Sequence, residues 1–533
     1  MLSNLETLSL HSNILKGHIP VSLGNLSNLG YLRLDNNWFR GRIPRELGNL
    51  DNLMKVNMSF NFLTGHIPSG LGNLIKLSEL YLFLNNLTGS IPPSLGNLSS
   101  LKTLYLYMND ISGRIPNELG NMKNLDQLLL GHNQLTGSIP ASLGNLSNLK
   151  VLDVHENFLS GVIPQELGKL ESLIQLALSH NELSGQFPAS IGNLSNLQQL
   201  VLNDNQFNGS IPKELGNLNS LVEMLLLLNR LSGPVPDSLG NLRELEQFAL
   251  HNNRLSGYFP ETILNGKKLR YLTLGNQLQG SIPRTLINCK NLEVLDLGDN
   301  KLTGGFPNWI DTLPEMQVLV LRGNKLNGTL HTSNTKTTFP KLRILDLSSN
   351  EFTCRLPSNH FKNFKAMMST DRAASGELYM GGKFMYYDSG ARSERIEIGP
   401  TENISRLHHY RSFGVIPQGG QFNTFGNNSF QGNNGLCGFP LTKSCGDDGV
   451  QLSPMPEDGS FFNGFSWKSV AMGYGFEMLI GLGIGWLVFY LGKPRWVIRI
   501  TEREQFERKI HGIRAHNHNR ISQVSDVRSV MSF

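Results

Sequence analysis

Fourteen histidines and four cysteines are the side chains of this chain best suited to metal binding or nucleophilic chemistry. The histidines are scattered, only His408 and His409 are adjacent, and no HExxH segment or other ligand-spaced cluster occurs. No GxSxG segment is accompanied by residues that would complete a catalytic triad. The sequence therefore predicts no catalytic residue, no metal site, no cofactor and no enzymatic activity.

The four cysteines lack the CxxC spacing of a zinc site and are too few for a disulfide framework. Cys437 and Cys445 lie close together in a segment rich in Gly, Asn and Pro, and we predict that they form a local disulfide. Cys289, in the segment LINCKNL, is predicted to be a small buried apolar side chain, and Cys354 is predicted to be a free thiol.

Sequons of the form NxS/T are candidate sites of N-glycosylation and are typical of a secreted glycoprotein. Part of their number follows from the repeated segment GNLS. The ten sequons lie at Asn25, Asn57, Asn86, Asn97, Asn145, Asn193, Asn208, Asn327, Asn403 and Asn427.

Most of the chain follows a 24-residue repeat, LxxLxLxxNxLxGxIPxxLGNLxx. This repeat must position the histidines, cysteines and sequon asparagines that lie within it. Its first leucine recurs from Leu5 to Leu269, and altered units begin at Leu292, Met316 and Leu342, which makes fifteen units. Such a period indicates a solenoid whose turns stack on their neighbours. The LxL step alternates inward and outward side chains, as a short strand does, and the IP step favours irregular or 3₁₀ turns. We therefore predict an α/β leucine-rich-repeat solenoid with a curved parallel β-sheet on its concave face.

An asparagine follows each LxL step in the same register. Where the chain leaves the sheet, its backbone amides and carbonyls lose their ladder partners, and a buried side-chain amide can satisfy both. We predict a structural ladder made of Asn13, Asn37, Asn61, Asn85, Asn109, Asn133, Asn157, Asn181, Asn205, Asn229, Asn253, Asn276, Asn300, Asn324 and Asn350.

The outward strand positions of three adjacent repeats are apolar, whereas most other repeats carry polar residues there. This predicts an exposed patch for ligand binding, because apolar patches with a polar rim usually mark interaction sites. The alternative is that glycans or neighbouring side chains cover it. The patch comprises Tyr81, Phe83, Tyr105, Tyr107 and Leu129, and a weaker second candidate comprises Leu225 and Leu227.

Composition excludes some classes of protein. Hydrophobic residues make up 39% of the chain and charged residues 17%, which is enough to bury a core and argues against general disorder. The formal net charge of +5 is small for 533 residues and lies largely in the last part of the chain, so nucleic acid is not an expected partner.

The segment 469–491 is long and apolar enough to be a transmembrane helix, although Glu477 lies within it. Acidic residues before it and basic residues after it predict a type I topology, with the repeats outside the cell. Gly481 and Gly485 form a GxxxG pair on which a partner helix can pack, with Glu477 paired to a polar group of that helix. The alternative is that these glycines are only tolerated spacers. The following tail is too short for a kinase and lacks kinase motifs.

Two groups of motifs carry a family resemblance. LTGSIPPSLGNL (87–98) and LTGSIPASLGNL (135–146) resemble the plant-specific class of extracellular leucine-rich repeats. The segment 414–445, followed by an acidic stretch, an apolar span and GKPRW, is similar to the end of plant receptor-like proteins. The resemblance implies a plasma-membrane receptor-like protein that binds an extracellular peptide, protein or glycan. It also implies signalling through membrane-bound adaptor and co-receptor kinases, in plant defence.

The chain departs from the family pattern at its start, because Met1 lies within a repeat and neither a signal peptide nor a cysteine-bearing cap precedes it. We expect an incomplete gene model or a shortened paralogue. The alternatives are a wall-located inhibitor of microbial enzymes and a truncated decoy or nonfunctional paralogue. The predicted domains are repeats (1–364), an irregular island (365–412), a C-terminal cap (413–445), an acidic linker (446–468), the transmembrane helix (469–491) and a basic cytoplasmic tail (492–533).

Overall fold

The computed structural model describes residues 4–262, 268–329 and 339–353, together with the backbone of two later strands. The chain divides into two compact units, Met1–Gly446 and Asp447–Phe533, and every described residue belongs to the first. The predicted island, membrane span and tail therefore lie outside the described residues, as do Cys354 and Cys445.

A parallel sheet of fifteen short strands forms one side of the solenoid, as the LxL pattern predicts. We call it the first sheet. Its register repeats every turn, so that Leu80 pairs with Leu104 and Tyr81 with Tyr105. The strands are Thr7–Ser9, Tyr31–Arg33, Lys55–Asn57, Glu79–Tyr81, Thr103–Tyr105, Gln127–Leu129, Val151–Asp153, Gln175–Ala177, Gln199–Val201, Glu223–Leu225, Gln247–Ala249, Tyr271–Thr273, Val294–Asp296, Val318–Val320 and Ile344–Asp346.

A second parallel sheet, also of fifteen strands, is built from the NxLxG part of each repeat and was not predicted from the sequence. Neighbouring strands pair with a stagger, so that Gly113 at the end of one strand faces Leu135 in the next. The strands are Lys16–His18, Trp38–Gly41, Phe62–Gly65, Asn86–Gly89, Asp110–Gly113, Gln134–Gly137, Phe158–Gly161, Glu182–Gly185, Gln206–Gly209, Arg230–Gly233, Arg254–Tyr258, Gln277–Gly280, Lys301–Gly305, Lys325–Gly328 and Glu351–Phe352.

Short 3₁₀ helices follow the IP step, as predicted. In most turns a proline with φ near −65°, such as Pro92, precedes the helix and leads the chain into it. The helices are Val21–Asn25, Arg45–Asn49, Ser69–Asn73, Pro93–Asn97, Asn117–Asn121, Ala141–Asn145, Gln165–Lys169, Ala189–Asn193, Lys213–Asn217, Asp237–Asn241, Arg284–Asn288 and Ile310–Thr312.

Adjacent 3₁₀ helices approach so closely that the glycine of LGN has no room for a side chain. A Cβ atom on Gly96 would lie 2.6 Å from the carbonyl carbon of Glu118 in the next turn. The same crowding is met at Gly72, Gly120 and Gly144. The glycine of the repeat is therefore required by backbone packing between turns.

The repeat leucines form one continuous core in which most side chains, such as Leu80 and Leu104, are fully buried. The predicted asparagine ladder is confirmed alongside this core from Asn37 to Asn350. Asn13 does not fit the prediction, because it is exposed and its side chain donates only to the carbonyls of Leu10 and His11 in its own turn. In a representative turn, Asn109 Nδ2 donates to the carbonyls of Leu82 and Leu106, at 3.0 and 3.1 Å, and Oδ1 accepts the backbone N–H of Leu87 at 3.0 Å. The amide thus joins two turns and both sheets. Cys289 is also fully buried in the core, as predicted, and burial raises the pKa of its thiol to about 11.

The strands Phe413–Val415 and Gly435–Cys437 form a separate two-stranded parallel sheet within the predicted cap. The predicted Cys437–Cys445 disulfide is not tested, because Cys445 is not among the described residues. Among the described residues, no helix is both long enough and apolar enough to cross a bilayer.

Candidate ligand-binding face

The outward side of the first sheet presents three side chains from each turn, alternating with the buried leucines. Because the register repeats with each turn, residues one repeat apart in sequence are neighbours across the sheet. Tyr81 thus pairs with Tyr105, Tyr105 with Leu129, and Leu129 with Asp153. The sheet therefore brings side chains from distant parts of the sequence together on one surface.

The four predicted aromatic residues are in mutual contact on this face. The rings of Phe83 and Tyr107 are stacked with centroids 4.5 Å apart, and those of Tyr81 and Tyr105 meet edge to face at 5.0 Å. The structure adds Phe60, whose ring lies 5.1 Å from that of Phe83. We call these five residues the aromatic cluster. Aromatic pairs at such distances add about 0.5–1.5 kcal/mol each beyond the area they bury.

The predicted patch is less exposed than expected. Tyr81, Phe83, Tyr105 and Tyr107 are half-buried because their rings cover one another. Leu129 is only 9% exposed and Leu225 only 6%, so the expectation that these two leucines stand exposed on the face is wrong. A ligand would therefore meet the edges of a packed aromatic cluster.

Hydrogen bonds fix two of the three tyrosines of the aromatic cluster, Tyr81 and Tyr105. The hydroxyl of Tyr81 donates to Oε2 of Glu79 at 3.1 Å, and Lys55 pairs with the same carboxylate at 2.6 Å. Burial and the charge of Glu79 raise the pKa of Tyr81 to about 12, so the phenol stays protonated at physiological pH. The hydroxyl of Tyr105 donates to Oε1 of Gln127.

Beyond Leu129, two histidines and two carboxylates form a second group on the same face, which we call the histidine cluster. His132 Nδ1 lies 2.6 Å from Oε2 of Glu156, and the rings of His132 and His155 meet edge to face with centroids 4.6 Å apart. His155 Nδ1 bonds to Oδ1 of Asp153. A Cβ atom on Gly131 would lie 2.5 Å from His155 Nδ1, so this glycine leaves room for the imidazole.

The electrostatics of His155 reflect two opposing effects. Burial favours the neutral imidazole, but the hydrogen bond and charge of Asp153 and the charge of Glu156 outweigh it and raise the pKa of His155. Sequence reasoning missed this cluster because His132 and His155 are 23 residues apart. The 24-residue period was the available signal, since it places residue 132 beside residue 156.

The sequons within the described residues leave this face largely clear of glycans. Seven of these eight asparagines are exposed, and each lies at the end of a 3₁₀ helix or in the second sheet. The exception is Asn57, which is half-buried on the first sheet and accepts hydrogen bonds from the backbone N–H and the hydroxyl of Ser59. Asn403 and Asn427 lie outside the described residues.

Comparison with known families identifies the repeat directly. A model described as "Leucine-rich repeat region" matches residues 1–162, one described as "Leucine rich repeat" matches 267–326, and one described as "Leucine Rich Repeat" matches 172–194, 196–218 and 341–364. These matches agree with the solenoid seen in the structure.

Several similar proteins come from plants. "Receptor-like protein 49" of Arabidopsis thaliana is 29% identical over 272 residues, a match covering 36% of this chain and 32% of the relative, so the chain matches about a third of that relative's length. Among solved structures, the plant peptide hormone receptor RGFR1 in complex with RGF2 is 36% identical with a TM-score of 0.61, covering 68% of this chain and 66% of the receptor. The Arabidopsis receptor kinase HAESA, in complex with the peptide hormone IDA and the co-receptor SERK1, is 29% identical with a TM-score of 0.65, covering 81% of this chain and 74% of HAESA. This chain is a leucine-rich-repeat protein homologous to plant receptor-like proteins.

Proposed function

We propose that this protein is a cell-surface receptor-like protein that binds an extracellular peptide on the first sheet, at the aromatic cluster. The observation that carries the proposal is a set of five packed aromatic rings on the outward face of that sheet. Aromatic side chains dominate binding energy at protein interfaces because they bury a large area with few rotatable bonds. A peptide is favoured over a glycan because the similar receptors RGFR1 and HAESA bind peptide hormones.

The arrangement suits a ligand that lies across several turns. The aromatic cluster offers apolar contacts with polar tyrosine hydroxyls at its edge, while Lys55 and Glu79 provide charges beside it. Glycans on the exposed sequons would project away from this surface, since those asparagines belong to the 3₁₀ helices and the second sheet.

Signalling is proposed to pass through partner receptor kinases, and a role in plant defence is part of the same proposal. The HAESA complex, which contains the co-receptor SERK1, supports a co-receptor kinase as partner. The helix expected at 469–491 would anchor the protein in the plasma membrane with its repeats outside the cell. Glu477, Gly481 and Gly485 would contact a partner helix there, although these residues lie outside the described part of the chain.

Ligand binding is tested with a photoreactive phenylalanine analogue placed at position 107 of the full chain, expressed in plant cells and exposed to fractionated extracellular peptides. We expect covalent capture of one peptide species at position 107. Position 258 is the matched control, because Tyr258 is a tyrosine of the second sheet that is 77% exposed. Equal capture at both positions, or none at position 107, would contradict the proposal.

The captured peptide then allows the energetics to be measured. Removing a buried aromatic anchor costs about 1–2 kcal/mol or more, which is roughly tenfold in affinity for each ring. The double variant Tyr105→Ala, Tyr107→Ala should therefore bind about a hundredfold more weakly, while Tyr258→Ala should bind normally. Circular dichroism of the three proteins checks that the solenoid remains folded.

The kinase partnership is tested separately by co-purification from plant membranes. We expect Gly481→Leu to reduce recovery of a co-receptor kinase, because the larger side chain prevents close approach of helices at a GxxxG pair. Leu479→Ile, on the opposite face of the expected helix, is the matched control. Unchanged recovery with Gly481→Leu would remove these glycines from the proposed interface.

A further inference from the structure

The histidine cluster has the composition of a metal site, although the sequence alone predicts none. One possible ligand atom from each of His132, His155 and Glu156 lies within 4.8 Å of the other two. Ligand atoms around a tetrahedral zinc ion lie about 3.3 Å apart, given metal–ligand distances of about 2.0–2.1 Å. Small side-chain rotations would therefore bring these three groups onto one ion.

Burial gives these groups a reason to bind a cation. The side chains of His132, Glu156 and His155 are only 14%, 18% and 15% exposed. His132 Nε2 is fully buried and has no hydrogen-bond partner. A buried polar atom left unsatisfied in this way costs about 1–3 kcal/mol, so a conformation in which the imidazole binds an ion is favoured.

Asp153 provides the support that metal-binding histidines usually have. Its carboxylate bonds to His155 Nδ1 and is itself 8% exposed. A carboxylate that holds one imidazole nitrogen fixes the ring and leaves the opposite nitrogen with its lone pair available to a metal. His180 and Asp204 provide a useful contrast, because within the described part of the chain their pair belongs to no group of three potential metal ligands.

We propose that His132, His155 and Glu156 bind a zinc-type divalent cation, with Asp153 as the residue that positions His155. Two imidazoles and one carboxylate suit Zn²⁺, and a water molecule or a donor from a bound molecule would complete its coordination. The ion would join two adjacent turns of the solenoid, since His132 belongs to one turn and Glu156 to the next. This inference does not depend on the proposed receptor function.

The test is titration of the purified full-length protein with Zn²⁺ after removal of metal by a chelator, followed by isothermal calorimetry. We expect the double variant His132→Gln, His155→Gln to bind one equivalent of Zn²⁺ less than the parent protein. His180→Gln is the matched control and should keep the full stoichiometry. Comparing variants with the parent separates this site from zinc bound by histidines elsewhere in the chain.

Two further measurements keep the test decisive if the double variant folds poorly. Co²⁺ bound by the parent protein should show the visible absorption of a four-coordinate site, and Asp153→Asn should weaken Zn²⁺ binding by about 10–100-fold without changing stoichiometry. Mg²⁺ should not compete, because it prefers oxygen ligands. Equal zinc stoichiometry and affinity in the parent and the double variant, or no four-coordinate cobalt spectrum, would overturn the proposal.

Discussion

Replacing Asn109 with alanine removes one complete rung of the asparagine ladder. Its side chain donates to the carbonyls of Leu82 and Leu106, and its Oδ1 accepts the N–H of Leu87 in the second sheet. Alanine offers neither donor nor acceptor. The backbone groups stay buried, so water cannot replace the lost partners without local opening.

The magnitude follows from the number of bonds lost. An amide nitrogen has two hydrogens, so the change removes two donated bonds and one accepted bond. A typical hydrogen bond contributes about 0.5–1.5 kcal/mol net, and a buried group left unsatisfied costs about 1–3 kcal/mol. With partial relaxation we expect a loss of about 2–4 kcal/mol. Each turn of a solenoid contacts only its neighbours, so the effect should remain local.

Hydrogen exchange measured by mass spectrometry or NMR reads this loss at the Leu87 amide. A change of 2–4 kcal/mol in local opening corresponds to exchange that is roughly 30 to 1,000 times faster. Asn13 is the matched control in the same column, because it is exposed and donates only to the carbonyls of Leu10 and His11. If Asn109→Ala accelerates exchange no more than Asn13→Ala does in its own turn, the asparagine ladder does not stabilise the fold.

Three other substitutions test separate parts of the fold. Gly96→Ala should lower the unfolding temperature by several degrees, because its Cβ would lie 2.6 Å from the carbonyl carbon of Glu118, whereas Gly70→Ala should be tolerated because its nearest neighbour would lie at 3.5 Å. Leu228→Asn should raise stability by about 0.5–1 kcal/mol in chemical denaturation, since residue 228 has φ 54° and is exposed; a loss would refute this reasoning. Burial raises the pKa of Glu223, which means that the folded state favours the protonated carboxylic acid. The protonated side chain therefore contributes to folding stability below pH 4.5, and this contribution is lost as pH rises through the folded pKa. The unfolding temperature of Glu223→Gln relative to the parent should therefore increase from pH 4 to pH 7, and a constant difference would contradict this.

Much of the scaffold could be predicted because it depends on residues that recur in every turn. The leucine period fixes which side chains enter the core, and the asparagine period fixes where the backbone needs a side-chain partner. The second sheet was missed because its strands, such as Asn86–Gly89, are too short to show alternation over several residues. Most of them end in a glycine with positive φ, such as Gly89 at 77°, and such a glycine in a sequence usually predicts a turn.

The candidate site was predictable only in part. The period placed Tyr81 and Tyr105 side by side, but it gave no measure of how far the rings would cover one another. Phe60 was overlooked because it occupies the position before the ladder asparagine, where the backbone has φ 54° and directs the ring towards Phe83. In the histidine cluster, His132 and Glu156 each occupy the position before a ladder asparagine, in two adjacent turns, whereas Asp153 and His155 occupy outward positions. No single position of the repeat therefore contains the whole cluster.

Binding and folding use different side chains of the same strands, and this separation makes the proposals testable. Leu104 and Leu106 are fully buried in the core, whereas Tyr105 between them lies on the opposite side of the sheet. Removing the Tyr105 ring opens no cavity in the core and breaks no rung of the ladder. Substitutions on the outward face should therefore change ligand or zinc binding while leaving the core and the ladder intact. Tyr105→Ala should cost only its ring contacts within the aromatic cluster, about 0.5–1.5 kcal/mol for each pair. A large drop in unfolding temperature after Tyr105→Ala would show that the aromatic cluster supports the fold as well, and its loss of binding would then not identify a ligand contact.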